Sequence, residues 1–271
     1  MQTQLGIPYS PNFPAARLLD LFLPDRPNGA AILFLHGGGW KGGARAQWHS
    51  LAQYFTQRGY TCASADYRLV PQALFPAQIE DARLAMACLK LRARDLGFDA
   101  RRVAALGSSA GGHLVALLAT TPPGDPLGLT AELAALGPPD TRPDAAICYC
   151  AVTTLHDADF GPPGPDDLIH ALMGRPEADA PDLYRAGSPI DRVTGREPPI
   201  ILIHGDADDL VPAAHSAAMH RRLVEAGARS RLVVLPGVGH GFGYGTETPE
   251  RRAAIAAAEA FLAEAFSPER G

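Results

Sequence analysis

The sequence predicts an α/β fold: a mostly parallel, twisted sheet with helices on both faces. Three observations carry this. Short apolar runs alternate with segments of helical periodicity along the chain, the pattern of repeated strand–helix units. Glycine-rich and acidic motifs fall directly after several of the runs, at the strand ends where open α/β sheets build their sites. The 271 residues suffice for one sizeable core, and no long polar linker divides them.

Taken in order, a strand pair is expected near Leu18–Leu23, then strands at Ala30–His36 and Thr61–Asp66. Further strands are expected at Arg102–Leu106, Ala145–Cys150, Ile200–His204 and Leu232–Leu235. Ile79, Ala82, Met86, Leu89 and Ala93 recur at spacings of three and four, one apolar face of a helix that stops at Gly97. A helix runs from His113 to Thr120. Another starts near Pro212 and turns Met219 and Leu223 inward, and the last carries Ile255, Leu262 and Phe266. Two segments rich in Pro, Gly and Asp, at 121–144 and 160–189, interrupt this pattern. The second holds a short helical piece at Leu168–Met173 and reads as part of a small cap insertion, about 153–189, on a single domain spanning 1–271.

Composition narrows the function. Apolar residues make up 46% and charged residues 20%, as in a soluble globular protein. A net charge of −5 offers no basic surface, so neither nucleic acid nor an anionic membrane is an expected partner. The start MQTQLGIPYS lacks the basic and apolar stretches of a signal peptide, and a cytoplasmic location is expected. Self-association into a homo-oligomer is compatible with the sequence. Cys62, Cys88, Cys148 and Cys150 form no CxxC pair and read as core thiols rather than metal ligands. As strand residues, Cys148 and Cys150 should share one face.

The chemistry-bearing motifs follow the strands. Gly107-Ser108-Ser109-Ala110-Gly111 sits between a strand and a helix, and Gly-x-Ser-x-Gly suits the sharp turn that lifts a serine above a sheet edge. Only Ser109 has Gly on both sides at two residues' distance, so it is the candidate nucleophile over Ser108. The helix start behind it favours developing negative charge. His36-Gly37-Gly38-Gly39-Trp40 lets backbone N–H groups face a ligand; Gly37, Gly38 and Ala110 are the expected oxyanion donors and Trp40 a wall of the substrate pocket. A phosphate loop is the rival reading, but the Gly-Lys-Ser/Thr ending is missing. A serine needs a base, and His240 in Gly239-His240-Gly241 follows the last strand. Asp206, Asp208 and Asp209, after the strand ending in His204, supply a carboxylate to orient it. His204 and His113 read as supporting residues, and Asp66-Tyr67-Arg68 as a structural ion pair.

Together these motifs resemble the hormone-sensitive-lipase-like esterases of the α/β-hydrolase fold, close to small bacterial carboxylesterases and to feruloyl and acetyl-xylan esterase-like proteins. The resemblance also runs through Phe75-Pro76-Ala77-Gln78 and Ser188-Pro189-Ile190, and so covers nearly the whole chain. It implies an α/β-hydrolase fold and a triad of Ser109, Asp208 and His240. The spacing His-Gly-x-x-Asp-x-x-Val selects Asp208 among the three carboxylates. It implies neither cofactor nor metal. The expectation is a serine carboxylesterase acting on small-molecule, short-chain acyl or aryl esters through an acyl-enzyme. The same triad would serve an amidase, an arylformamidase or a peptidase. A non-catalytic binding protein on this fold would typically have lost one of the three.

Overall fold

In the computed structural model, residues 1–13, 15–137, 140–156 and 167–267 are described. Eight strands form one sheet: β1 (Gln2–Pro8), β2 (Leu18–Leu23), β3 (Ala31–Leu35), β4 (Thr61–Ala65), β5 (Val103–Ser108), β6 (Ala145–Tyr149), β7 (Ile200–Gly205) and β8 (Ser230–Leu235). Their spatial order is β1-β2-β4-β3-β5-β6-β7-β8. β2 pairs antiparallel with both β1 and β4, and every later pair is parallel. This is the α/β-hydrolase architecture.

The residues of the parallel strands alternate between two cores. On β3, Ala31, Leu33 and Leu35 face one side, while Ile32 and Phe34 face the other. The first side is covered by α2 (Ala77–Leu91), α4 (Ala110–Ala119) and α8 (Ala214–Glu225), through Ile79, Met86, Leu114, Met219 and Leu223. The second is covered by α1 (His49–Thr56) and α9 (Pro249–Ala265), through Leu51, Phe55, Ile255 and Leu262. Each such side chain, fully buried, contributes about 1.5–3 kcal/mol. Short helices α3 (Ala93–Leu96), α5 (Ala131–Ala135), α6 (Leu168–Met173) and α7 (Pro181–Gly187) complete the set used below.

The strand order reverses at β3. The chain leaves β3 for β4 on one side and returns to β5 on the other. A crevice opens outside the carboxyl ends of strands at such a switch point. The register places Leu35 beside Gly107, so the His36–Trp40 loop and the Ser109 turn emerge next to each other.

Three sequence expectations are amended. Cys148 and Cys150 do not share a face. β6 ends at Tyr149, Cys150 turns over at φ +37°, and the two thiols enter opposite cores. Asp66 and Arg68 do not pair with each other. Asp66 binds Arg45, and Arg68 binds Glu80 and Asp81. The helix expected from Pro212 begins at Ala214. Of the expected cap insertion, 157–166 lie outside the described residues.

Candidate active site

Ser109 stands between β5 and α4 at φ +56°, ψ −120°, a conformation costly for any residue with a Cβ. The flanking glycines make the turn possible. A Cβ on Gly107 would lie 2.3 Å from the Gly111 carbonyl oxygen, and one on Gly111 would lie 2.1 Å from that of Leu35. Both contacts are with backbone, which cannot yield. The turn therefore packs directly against the end of β3.

His240 reaches Ser109 from the loop after β8. Its Nε2 accepts from Ser109 Oγ at 2.9 Å, and its Nδ1–H donates to Asp208 Oδ2 at 2.7 Å. The Asp208 side chain is fully buried, and its Oδ1 accepts from the N–H groups of Leu210 (3.0 Å) and Val211 (2.9 Å). Asp206 instead accepts from Gly237 N–H at 2.6 Å, a loop contact away from His240. Burial pulls the His240 pKa down. Contacts with Cys150 and the Asp208 carboxylate outweigh this and hold it up at about 9.

His204 supports the acid. Its Nδ1 accepts from Ser216 Oγ at 2.7 Å and its Nε2–H donates to the Val211 carbonyl at 2.8 Å, with Asp208 Oδ2 at 3.3 Å from the same nitrogen. Burial lowers its pKa and keeps it neutral. Among the described residues, Cys150, Asp208 and His240 also form a group whose possible metal-binding atoms lie within 4.8 Å of one another. Asp208 and His240 are already joined to Ser109 by hydrogen bonds.

The His36–Trp40 loop departs from the sequence reading at one position. Gly37 N–H donates to the phenolic oxygen of Tyr244 at 2.6 Å and is thereby engaged. Gly38, Gly39 and Ala110 line the cavity beside Ser109. Gly38 and Gly39 take φ of +111° and +59°, conformations suited to glycine. Ala110 opens α4, so its N–H has no partner within the helix.

Trp40 also lines this cavity but is 2% exposed, and its polar tip is turned away. The indole N–H donates to His113 Nδ1 at 3.2 Å, while His113 Nε2–H donates to the Gly187 carbonyl at 2.8 Å. Burial drives the His113 pKa down to about 4, so the ring is neutral and this tautomer is fixed. The chain Trp40–His113–Gly187 fastens the His36–Trp40 loop to the end of α7.

The cavity measures about 460 Å³. Val152, Leu168, Ile169, Leu210 and Val211 give it apolar walls, with Gln47 and Asp167 among its polar lining. Leu168 packs directly over Gly39, where an added Cβ would lie 2.7 Å from Leu168 Cδ1. Sequence reasoning missed Tyr244, Cys150, Gly39 and Leu168 as site residues. The one available signal was the alternation of glycine with His240, Phe242 and Tyr244.

The fold and this hydrogen-bonded arrangement of Ser109, His240 and Asp208 define an α/β-hydrolase. The chain belongs to the BD-FAE family, whose model matches residues 19–223. A dienelactone hydrolase family model matches residues 181–267. Esterase LipC of Mycobacterium tuberculosis is 34% identical over 84% of this chain and 57% of its own length. Esterase LipQ of the same organism is 32% identical over 98% of this chain and 63% of its own. The chain thus spans about three-fifths of these relatives. Thermogutta terrifontis esterase Est2 superposes with a TM-score of 0.82 at 26% identity, covering 99% of this chain and 95% of that one. No helix among the described residues is long and apolar enough to cross a membrane.

Proposed function

We propose that this protein is a serine carboxylesterase for small esters with short acyl chains. The observation that carries the reading is the continuous hydrogen-bonded line from Ser109 Oγ through His240 to buried Asp208. Ser109 Oγ attacks the ester carbonyl while His240 Nε2 takes its proton, and Asp208 stabilises the resulting imidazolium. Gly38, Gly39 and Ala110 donate their N–H groups to the tetrahedral oxyanion; Gly37 serves Tyr244 instead. The imidazolium returns its proton to the leaving alcohol, and water releases the acid by the same route.

Two similarities support the substrate class. Est2 has been solved with butyrate and with propionate bound, and also phosphorylated by paraoxon. Ethyl acetate hydrolase of Pseudomonas putida is 32% identical over 79% of this chain. The small-molecule ester is the proposed partner, and the reaction as written calls on no cofactor or metal. Labelling with a fluorophosphonate tests the reading: the wild type should take up one label on Ser109 and lose esterase activity, and Ser109→Ala should neither take up label nor hydrolyse the ester. Labelling elsewhere, or ester hydrolysis by Ser109→Ala, would overturn it.

A further inference from the structure

Among the described residues, the non-glycine positions with positive φ are Trp40, Ser109 and Cys150. The first two carry the oxyanion loop and the nucleophile. Backbone strain of this kind persists where the surroundings enforce it, and it concentrates at functional sites. Cys150 is the member of the set to which the reaction above gives no role.

Its surroundings supply one. Cys150 is fully buried, and its N–H donates to the Ile203 carbonyl at 2.9 Å, which holds the turn after β6. The turn brings the sulfur within 4.8 Å of both the His240 ring nitrogen and the Asp208 carboxylate. On its other side, Cys150 Sγ lies 3.3 Å from Ser108 Oγ, which is also fully buried. Ser108 in turn interacts with the Tyr244 hydroxyl, and Tyr244 accepts the Gly37 N–H. Burial holds the Tyr244 phenol protonated, its pKa pushed up to about 12, so it keeps a proton to donate while accepting from Gly37.

From this geometry, and resting on the esterase reading, we infer that Tyr244, Ser108 and Cys150 form a buried relay beneath the nucleophile. One end fixes Gly37 of the oxyanion loop and the other fixes the imidazole of His240. The two halves of the site come from different strands, and the relay holds them in one register. Sγ packs the imidazole toward Asp208, whose carboxylate favours the charged ring, the form generated when Ser109 gives up its proton. The groups facing His240 are Asp208 and His204 from β7 and its loop, Cys150 from the end of β6, and Ser109 from the elbow. His204 is neutral, which leaves Asp208 as the charged partner of the cation.

The test uses the full chain with Cys150→Ala, Cys150→Ser, Tyr244→Phe and the double variant Cys150→Ala/Tyr244→Phe. The histidine titration is read by NMR on ¹³C-labelled imidazole, with no need for turnover. Without the sulfur the ring loses the packing that holds it on Asp208, so Cys150→Ala should lower the His240 pKa by about one unit, and Cys150→Ser should restore part of it. In ester hydrolysis each single variant should lower kcat by about 10- to 100-fold with little change in KM, as small misplacements in a site do. Members of one relay are coupled, so the double variant should fall little below the worse single. A His240 titration unchanged in Cys150→Ala overturns the inference, whether or not esters are cleaved. So does a double variant whose losses multiply. A wild type with the expected His240 titration but no ester hydrolysis would instead overturn the esterase reading.

Discussion

Replacing Asp208 by Asn tests the triad most sharply, because the structure dictates which way the amide must lie. Asp208 Oδ1 accepts two backbone N–H groups, from Leu210 and Val211. The amide oxygen of Asn must occupy that place, since its NH₂ would face two donors. The NH₂ group is then left at 2.7 Å from His240 Nδ1. Nδ1 becomes an acceptor, the proton moves to Nε2, and the ring now donates toward Ser109 instead of accepting its proton. The side chain is nearly isosteric and every backbone contact is kept, so the fold should survive. Wrong-tautomer substitutions cost about 10⁴-fold in kcat, or about 5 kcal/mol of transition-state stabilisation. Asp206→Asn, whose carboxylate serves Gly237, should keep activity within about tenfold and lose only loop stability. The assay is steady-state hydrolysis of a four-carbon ester by Asp206→Asn, Asp208→Asn and Asp209→Asn, with circular dichroism to confirm folding. A folded Asp208→Asn within tenfold of wild type, or collapse of activity in Asp206→Asn, would refute the assignment.

Other outcomes follow from the same contacts. His240 must be neutral to act as a base, and its pKa is held above the ordinary value, so kcat/KM should fall on acidification with a midpoint above the usual His value of about 6.5; a pH–rate profile with a lower midpoint would contradict this. His113 has a depressed pKa, about 4 against 6.5, so its share of stability is complete above pH 6.5 and is lost as pH falls toward 4. The loss amounts to about 3 kcal/mol, and urea titrations should show it in the wild type but not in His113→Asn. Gly39→Ala should clash with Leu168, and activity should partly return in Gly39→Ala/Leu168→Ala; no recovery would mean that the φ of Gly39, not the contact, is limiting. Turnover should fall for acyl chains beyond about eight carbons, given a cavity that must hold both ends of the ester; faster hydrolysis of sixteen-carbon esters would overturn that.

What could be read from the sequence was local. The strand β5, the elbow and the start of α4 occupy adjacent residues, and their glycines answer to contacts within the turn or with the neighbouring strand. The roles of Gly107 and Gly111 are therefore legible in five consecutive residues. The central strands were legible for the same reason, since a strand such as β7 is apolar on both faces of a buried sheet, Ile200 and Leu202 facing one core and Ile201 and Ile203 the other. β1 was not legible. It is an edge strand with a largely exposed pattern, QTQLGIP, that pairs with β2. Nor was α1, where the polar residues His49, Ser50, Gln53 and Thr56 interrupt an apolar face made by Leu51, Ala52 and Phe55.

The unread part of the candidate site depends on contacts between residues far apart in the chain. Gly37 reads as an open donor, yet Tyr244, 207 residues later, lies over it. Cys150 reads as one of two equivalent strand thiols, yet the chain turns at the end of β6 and separates them. Neither contact leaves a periodic or compositional trace, because each needs one side chain at one point of the sheet's carboxyl edge. The glycines of the oxyanion loop have two causes, and sequence supplies only the first. Backbone donors must face the cavity, which any run of glycines allows; Gly37 must also leave room for the Ser108 carbonyl and the Tyr244 hydroxyl, each 2.7 Å from where its Cβ would stand. Gly37→Ala, made in the wild type and in Tyr244→Ala, separates these causes. If the fixed Ser108 carbonyl sets the cost of Gly37→Ala, Tyr244→Ala should not change it. If crowding by the phenol sets that cost, Tyr244→Ala should relieve part of it, and equal losses of kcat in both backgrounds would rule out the phenol as its source.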